Sequence, residues 1–161
     1  MCNTNENPFL AFHQRAQAKA LLFEHFPNAY HHDVFDCEEA ARARGVPLEH
    51  ELKHLLLETG KGFCLAHVAG DLKLSLRKVK RHLRVREASL ADLATFPHAR
   101  LQRGSVCPFV EPLWSLQHLV DHSILNIPSM TTNDGTHRGY LRFDPKILFL
   151  ARLNEVGDFA A

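Results

Sequence analysis

A chain of 161 residues, 45% hydrophobic and 23% charged, has the size and make-up of one globular domain with a proper core. Its formal net charge of +1 excludes nucleic-acid binding by bulk charge and leaves that role to a local basic patch. No apolar run approaches the roughly 20 residues that span a bilayer. Met1-Cys2-Asn3-Thr4-Asn5 lacks the basic-then-apolar order of a secretory signal, so the cytoplasm is the expected location. The cysteines Cys2, Cys37, Cys64 and Cys107 form no C-x-x-C pair. The histidines show neither H-E-x-x-H nor ligand spacing. Neither a disulfide framework nor a metal site is expected.

In chain order, Pro8 behind Asn7 opens a helix expected over residues 8–26, with Phe9, Phe12, Ala16, Ala20 and Phe23 as its apolar stripe. Ala29 to Phe35 reads as extended. Asp36, with Glu39 three residues on, resembles a capping box for a helix from Cys37 to Arg44, closed by Gly45. Glu51 to Leu57 reads as a strand covered on both faces, with Leu52, His54 and Leu56 on one side and Lys53, Leu55 and Leu57 on the other. Past the Thr59–Gly62 turn, Phe63 to Val68 is its hairpin partner. Ser75 to Arg84 reads as a basic helix with Leu76, Val79 and Leu83 inward. Its Arg77, Lys78, Lys80 and Arg81 suit a solvated face or an RNA contact equally.

A short strand from Val85 to Ala88 and a helix from Leu90 to Phe96 capped by Ser89 follow. Leu116 to Val120, Ser123 to Ile127 and Arg138 to Phe143 read as strands, with Asn133-Asp134-Gly135-Thr136 as a turn. Asp144-Pro145 opens a last helix running to about Leu153. Short strands interleaved with helices, without repeats or linkers, predict a single compact α+β domain.

Lys53 has two readings. It carries its charge to water from near the strand end, or it opens onto a cavity, because an unpaired buried ammonium is too costly. Further on, Gly104-Ser105-Val106-Cys107-Pro108-Phe109 is a turn whose glycine permits close approach of backbone N–H groups, and Asn133 to Gly139 is a polar, glycine-containing hairpin.

Taken with Tyr30-His31-His32-Asp33 and Leu52-Lys53-His54-Leu55, these stretches resemble the YbaK/ProX family of aminoacyl-tRNA deacylases, which includes the editing domain inserted in bacterial prolyl-tRNA synthetases. The resemblance runs from about Tyr30 to Leu150. It implies a domain over 1–161 with a mixed central sheet or partly closed barrel surrounded by helices, and residues 1–28 as an N-terminal helix packed on it. It places the family's lysine on Lys53, the loop glycine on Gly104 and the loop proline on Pro108. Tyr30 and His32 fall at the pocket mouth. His54, Ser105, Val106, Cys107, Asn133, Gly135 and Thr136 fall among the substrate-binding positions. His54 stands where members generally have Thr or Asn, and Cys107 where they often have Ser or Thr. Both departures bear on substrate identity. Cys107 reads as a small pocket-lining residue or as a nucleophile awaiting a base.

The implied activity is hydrolysis of the ester joining a wrong, small amino acid to the terminal adenosine of a tRNA. Lys53 and the backbone of the Gly104–Pro108 loop would fix the ester and the developing oxyanion, with help from the neighbouring ribose hydroxyl. No cofactor is implied. The implied partners are aminoacylated tRNA and a synthetase or elongation factor, with no membrane. Two rival readings remain. One is a non-catalytic tRNA- or synthetase-binding module using the basic helix. The other is a metal- or thiol-dependent hydrolase using His31, His32 or Cys107.

Overall fold

The computed structural model describes residues 7–161; Cys2 and the leading residues read above for a signal lie outside them. Three α-helices are described: α1 (Leu10–Ala18), α2 (Cys37–Arg44) and α3 (Leu76–Leu83). The strands are β1 (Phe23–Phe26), β2 (Leu52–Thr59), β3 (Gly62–Ala69), β4 (Ala88–Leu90), β5 (Gln117–Asp121), β6 (Met130–Asn133), β7 (Tyr140–Phe143) and β8 (Asn154–Gly157). They form a five-stranded sheet in the order β4-β2-β3-β5-β8 and a three-stranded sheet in the order β1-β7-β6. A parallel bridge from Glu51 to Thr131 joins the two sheets, which do not close into a barrel. The α+β class is as expected.

Local chemistry explains most elements. Asp36 accepts from Glu39 N at 2.8 Å and Gly45 takes φ 66° behind Arg44, so α2 has both caps that its sequence announced. Ser75 caps α3, whose Val79 and Leu83 pack on Leu57, Cys64, Ala66, Leu119 and Phe159. The hairpin of β2 and β3 pairs Lys53 with Val68 and His54 with His67.

Several expectations are corrected. The first helix stops at Ala18 because Ala20 enters the left-handed region (φ 54°) and Leu21 N returns to Ala16 O. Phe23 then begins β1, which pairs with β7 and buries the Phe23 ring against Phe12. Strand pairing outweighs the helical spacing there. Ala29–Phe35 is irregular, tied to the later hairpin through Tyr30 N to Arg138 O and Val34 N to His137 O. Leu90 belongs to β4, and Ala91 N donates to Leu56 O; the helix expected from Leu90 shrinks to a 3-10 turn, Leu93–Thr95, capped by Asp92. Ser123–Ile127 is not a strand. Asp121 accepts from Ser123 N and bends the chain into a 3-10 turn, His122–Asn126. The last helix is likewise a 3-10 turn, Pro145–Leu150, and β6 and β8 were not foreseen.

Two buried polar assemblies hold the centre. Glu51, at the sheet junction, accepts from Arg44 Nη1 at 2.5 Å and from the Thr131 hydroxyl. The same guanidinium donates from Nε to Tyr30 Oη at 2.5 Å. Both charged side chains are nearly inaccessible, at 3% and 2% exposure. Burial raises the Glu51 carboxyl, opposed by Arg44 and Thr131, and raises the Tyr30 phenol.

The second assembly joins β2, β3 and β5. His54 Nδ1 lies 2.8 Å from His67 Nδ1, and His67 Nε2 lies 2.8 Å from His118 Nδ1. His118 Nε2 reaches the Trp114 carbonyl at 3.1 Å. His67 and His118 are fully buried. Burial lowers all three imidazoles, His54 to about 3.

Arg44→Met would leave the Glu51 carboxylate buried and unpaired, and is expected to destabilise the fold by about 3–5 kcal/mol in denaturant unfolding. Adding Glu51→Leu should restore most of that loss; equal losses in the single and double variants would show that the pair is not the cause. The imidazoles also set an acid limit. Unfolded, they take up protons as pH falls through 6.5, whereas folded they stay neutral, so stability present above pH 6.5 is lost below it. The slope is at most about 1.4 kcal/mol per pH unit per histidine. Unfolding free energies at pH 7 and pH 5, a window above the usual carboxylate range, should differ by several times RT; equal values would mean the imidazoles are charged when folded.

Candidate active site

Strand β2 is paired with β3 along its whole length. On its other edge, β4 pairs only with Leu57–Thr59, and β6 makes a main-chain bridge only at Glu51, before the strand begins, while its Thr132 side chain reaches Leu52 O and His54. The edge between them is uncovered. Because Leu56 O accepts from Ala91 on that side, the period-two alternation turns the main-chain groups of His54 and Leu52 to the same open edge. A cavity of about 620 Å³ occupies the gap. This is an ordinary volume for a small-molecule site. Its walls are β2 itself, the segment entering α2, the Gly104 loop and the hairpin after β6.

Of the residues singled out from sequence, Lys53, His54, Gly104, Val106, Asn133 and Thr136 line this cavity together. The half-buried Lys53 donates from Nζ to the Leu72 carbonyl at 2.8 Å. That contact uses one of three ammonium protons. Asn133 Nδ2 donates to Val106 O at 2.8 Å and so ties the hairpin to the loop. Gly104 lies at φ 85°, and a Cβ there would fall 2.7 Å from Phe35 Cα and 2.8 Å from Phe35 O. The glycine is therefore required by close packing against the Phe35 main chain as well as by its backbone angle. An alanine would push the loop and the α2 approach apart.

The other residues sit behind or beside the cavity. Tyr30 is buried under Arg44, whereas His32 is exposed. Ser105 turns its hydroxyl back to Gln102 O, and Gly135 serves the turn at φ 91°. Cys107 and Pro108 are buried beneath the loop, with Cys107 in the core beside Phe109. Burial pushes the Cys107 thiol up to about 12, opposite to what a nucleophile needs. Burial also raises Cys37, at the cavity wall, to about 11.

Lining residues that escaped the sequence reading include Arg44, Glu51, Arg103 and Thr132. Glu51 carried a weak signal as a carboxylate at the head of an apolar strand. Thr132 carried none, because it belongs to the strand β6 that was not foreseen. Its hydroxyl lies 2.5 Å from His54 Nε2. The cavity thus offers one ammonium, a strand edge, a hydroxyl backed by imidazoles, and glycine-loop backbone. That set can hold a polar ester and stabilise charge developing on its carbonyl oxygen.

Solved structures with this fold include a candidate trans-editing enzyme for prolyl-tRNA synthetase, at TM-score 0.73 and 23% identity over 98% of this chain and 99% of that one. The hypothetical protein APE2540 superimposes at TM-score 0.77 with 20% identity, over 93% and 99% of the two chains. A candidate signal transduction protein from Marinobacter aquaeolei VT8 matches at TM-score 0.59 and 16% identity, with 94% of this chain covering 30% of that larger one. At such identities these likenesses establish the fold alone. No curated protein sequence matches the chain. The family model for the aminoacyl-tRNA editing domain matches residues 31–149, a span holding α2, the β2–β3 hairpin, the glycine loop and the hairpin after β6. The chain belongs to the aminoacyl-tRNA editing domain family.

Proposed function

We propose that this chain is a trans-editing hydrolase of the cytoplasm, cleaving the ester of a small non-cognate amino acid from mischarged tRNA. The observation that carries the proposal is the convergence of Lys53, the open edge of β2 and the Gly104 loop on one cavity of about 620 Å³. An aminoacyl ester is already activated, so the protein's task is to fix it and to stabilise the oxyanion. The Lys53 ammonium, released from the Leu72 carbonyl, supplies positive charge at the ester or at the terminal phosphate. Main-chain N–H groups of the loop near Val106 and of the β2 edge receive the carbonyl oxygen. The ribose hydroxyl beside the ester helps to orient the attacking water. Selection by size suits small amino acids, although one methylene changes discrimination by only about 1–3 kcal/mol.

The tRNA body needs its own contacts. On α3, Arg77 and Arg81 are exposed, whereas Lys78 is occupied by Asp158 and the Ala160 carbonyl. With a formal net charge of only +1, tRNA binding should be weak and salt-sensitive, and a synthetase or an elongation factor would supply the remainder.

Single-turnover deacylation of mischarged tRNAs carrying alanine, serine, cysteine or threonine should reveal one cleaved ester. Lys53→Ala should slow it about 100-fold or more, as does loss of one oxyanion donor elsewhere. A variant rate within twofold of wild type would refute the role given to Lys53. Tight tRNA binding without cleavage of any ester would favour a binding module instead. Iodoacetamide treatment of the folded protein should leave the activity intact, because the Cys107 thiol is buried and neutral; inactivation in step with Cys107 labelling would restore the thiol-dependent reading.

A further inference from the structure

The imidazole chain between the sheet interior and the cavity has only one consistent direction. The Trp114 carbonyl can only accept, so His118 Nε2, 3.1 Å away, carries a proton and donates it. A neutral His118 then has a bare Nδ1, which must accept from His67 Nε2–H at 2.8 Å. His67 Nδ1 is bare in turn and accepts from His54 Nδ1–H at 2.8 Å. This leaves His54 Nε2 as an acceptor, 2.5 Å from Thr132 Oγ1, and the hydroxyl must donate to it. The reverse order would set a bare His118 nitrogen against the carbonyl oxygen, or else require a charged imidazole at a position with no exposure. Burial lowers all three imidazoles, in agreement with the neutral chain.

The consequence falls on Thr132, which lines the cavity. A threonine hydroxyl ordinarily donates or accepts as its surroundings require. Here its single proton is committed to His54, and the Leu52 carbonyl, at 3.5 Å, is left without it. Thr132 is buried at the cavity wall, and its remaining hydrogen-bonding capacity is as an acceptor only, so a ligand group that reaches Oγ1 must bring a donor. That oxygen repels a phosphate or an ester carbonyl and attracts an N–H group.

We propose that the His118–His67–His54 chain fixes Thr132 Oγ1 as a one-way acceptor for the α-ammonium of the bound aminoacyl group. The proposal rests on the deacylase reading. On that reading Thr132 is a substrate-binding residue, and the three histidines are positioning residues that act through it. The histidine at position 54 fits this arrangement, since an imidazole accepts from the Thr132 hydroxyl at Nε2 while donating to His67 from Nδ1.

Two measurements test it. Long-range proton–nitrogen NMR of the free protein at pH 6.5 should show three neutral rings, protonated at Nδ1 in His54 and at Nε2 in His67 and His118. A His54 protonated at Nε2, or any of the three rings charged, would overturn the proposal without reference to activity. Binding should then be measured for 3′-alanylamino-3′-deoxyadenosine, a stable amide mimic of the substrate end, and for its propionyl counterpart, which lacks the amine. Thr132→Val should weaken the alanyl compound about 10- to 100-fold, the loss expected for a hydrogen bond to a charged group. It should leave the propionyl compound within twofold, and Thr132→Ser should bind both as wild type does. Equal effects of Thr132→Val on the two compounds would overturn the acceptor role while leaving the deacylase reading in place. A wild-type protein that binds neither compound, and cleaves no mischarged tRNA, would overturn that reading and the assigned ligand with it.

Discussion

An incompletely covered strand makes this site. β2 is hydrogen-bonded along its length to β3, but its other edge is claimed by β4 at one end and approached by β6 at the other, leaving the residues between them open. Buried main-chain groups must find partners, so a strand edge of this kind is either covered or given to water and ligand. The walls around the gap come from distant parts of the sequence: the approach to α2, the Gly104 loop and the hairpin after β6. The register of β2 decides what the gap contains. A slip of one residue would exchange the faces of Lys53 and His54, removing the ammonium from Leu72 and breaking the imidazole chain in the same movement.

The polar groups inside the fold explain why that register is held. A half-satisfied buried network costs more than an apolar core, whereas a fully satisfied one specifies a single arrangement. Among the described residues no buried side-chain polar atom lacks a partner. Glu51 ties β2 to α2 through Arg44 and to β6 through Thr131, so one carboxylate sets the relation between the two sheets and the helix that walls the cavity. The histidines do the same across β2, β3 and β5. Neither assembly tolerates a shift of one strand against its neighbour without stranding a donor or an acceptor.

Local signals in the sequence were legible where local chemistry decides the structure. Asp36 and Gly45 bound α2, Ser75 opens α3, and the Thr59–Gly62 turn joins β2 to β3, all within a few residues of chain. Where a distant partner decides, the local signal misled. Phe23 carries a helical spacing from Phe12 but pairs with Phe143, and Leu90 follows a good cap in Ser89 but pairs with Leu57. The site divides in the same way. Lys53, Gly104 and Asn133 could be named from motifs. The family model spans the motifs from His31 onward. Thr132 could not be named, because its part depends on His54, His67 and His118, which lie on three strands and share no sequence spacing.

The charges around the cavity differ in how freely they can respond to a substrate. Arg44 is committed to Glu51 and Tyr30 beneath the surface, and Arg138 pairs with Asp33 outside it. Those cations shape the walls and have little charge left to offer. Lys53 and the exposed Arg103 differ, since among the described residues no carboxylate pairs with either, and the Lys53 ammonium bonds a neutral carbonyl. Exchanging a neutral acceptor for an oxyanion or a phosphate strengthens the hydrogen bond, whereas leaving a carboxylate would weaken the site. On the deacylase reading, an ammonium parked on the Leu72 carbonyl is therefore held near the ester at little cost and gains most when negative charge develops there. An acceptor-only Thr132 and a releasable Lys53 place opposite demands on the two ends of an aminoacyl ester, amine to one and developing oxyanion or phosphate to the other. On the deacylase reading, that opposition would set the orientation in which such an ester enters.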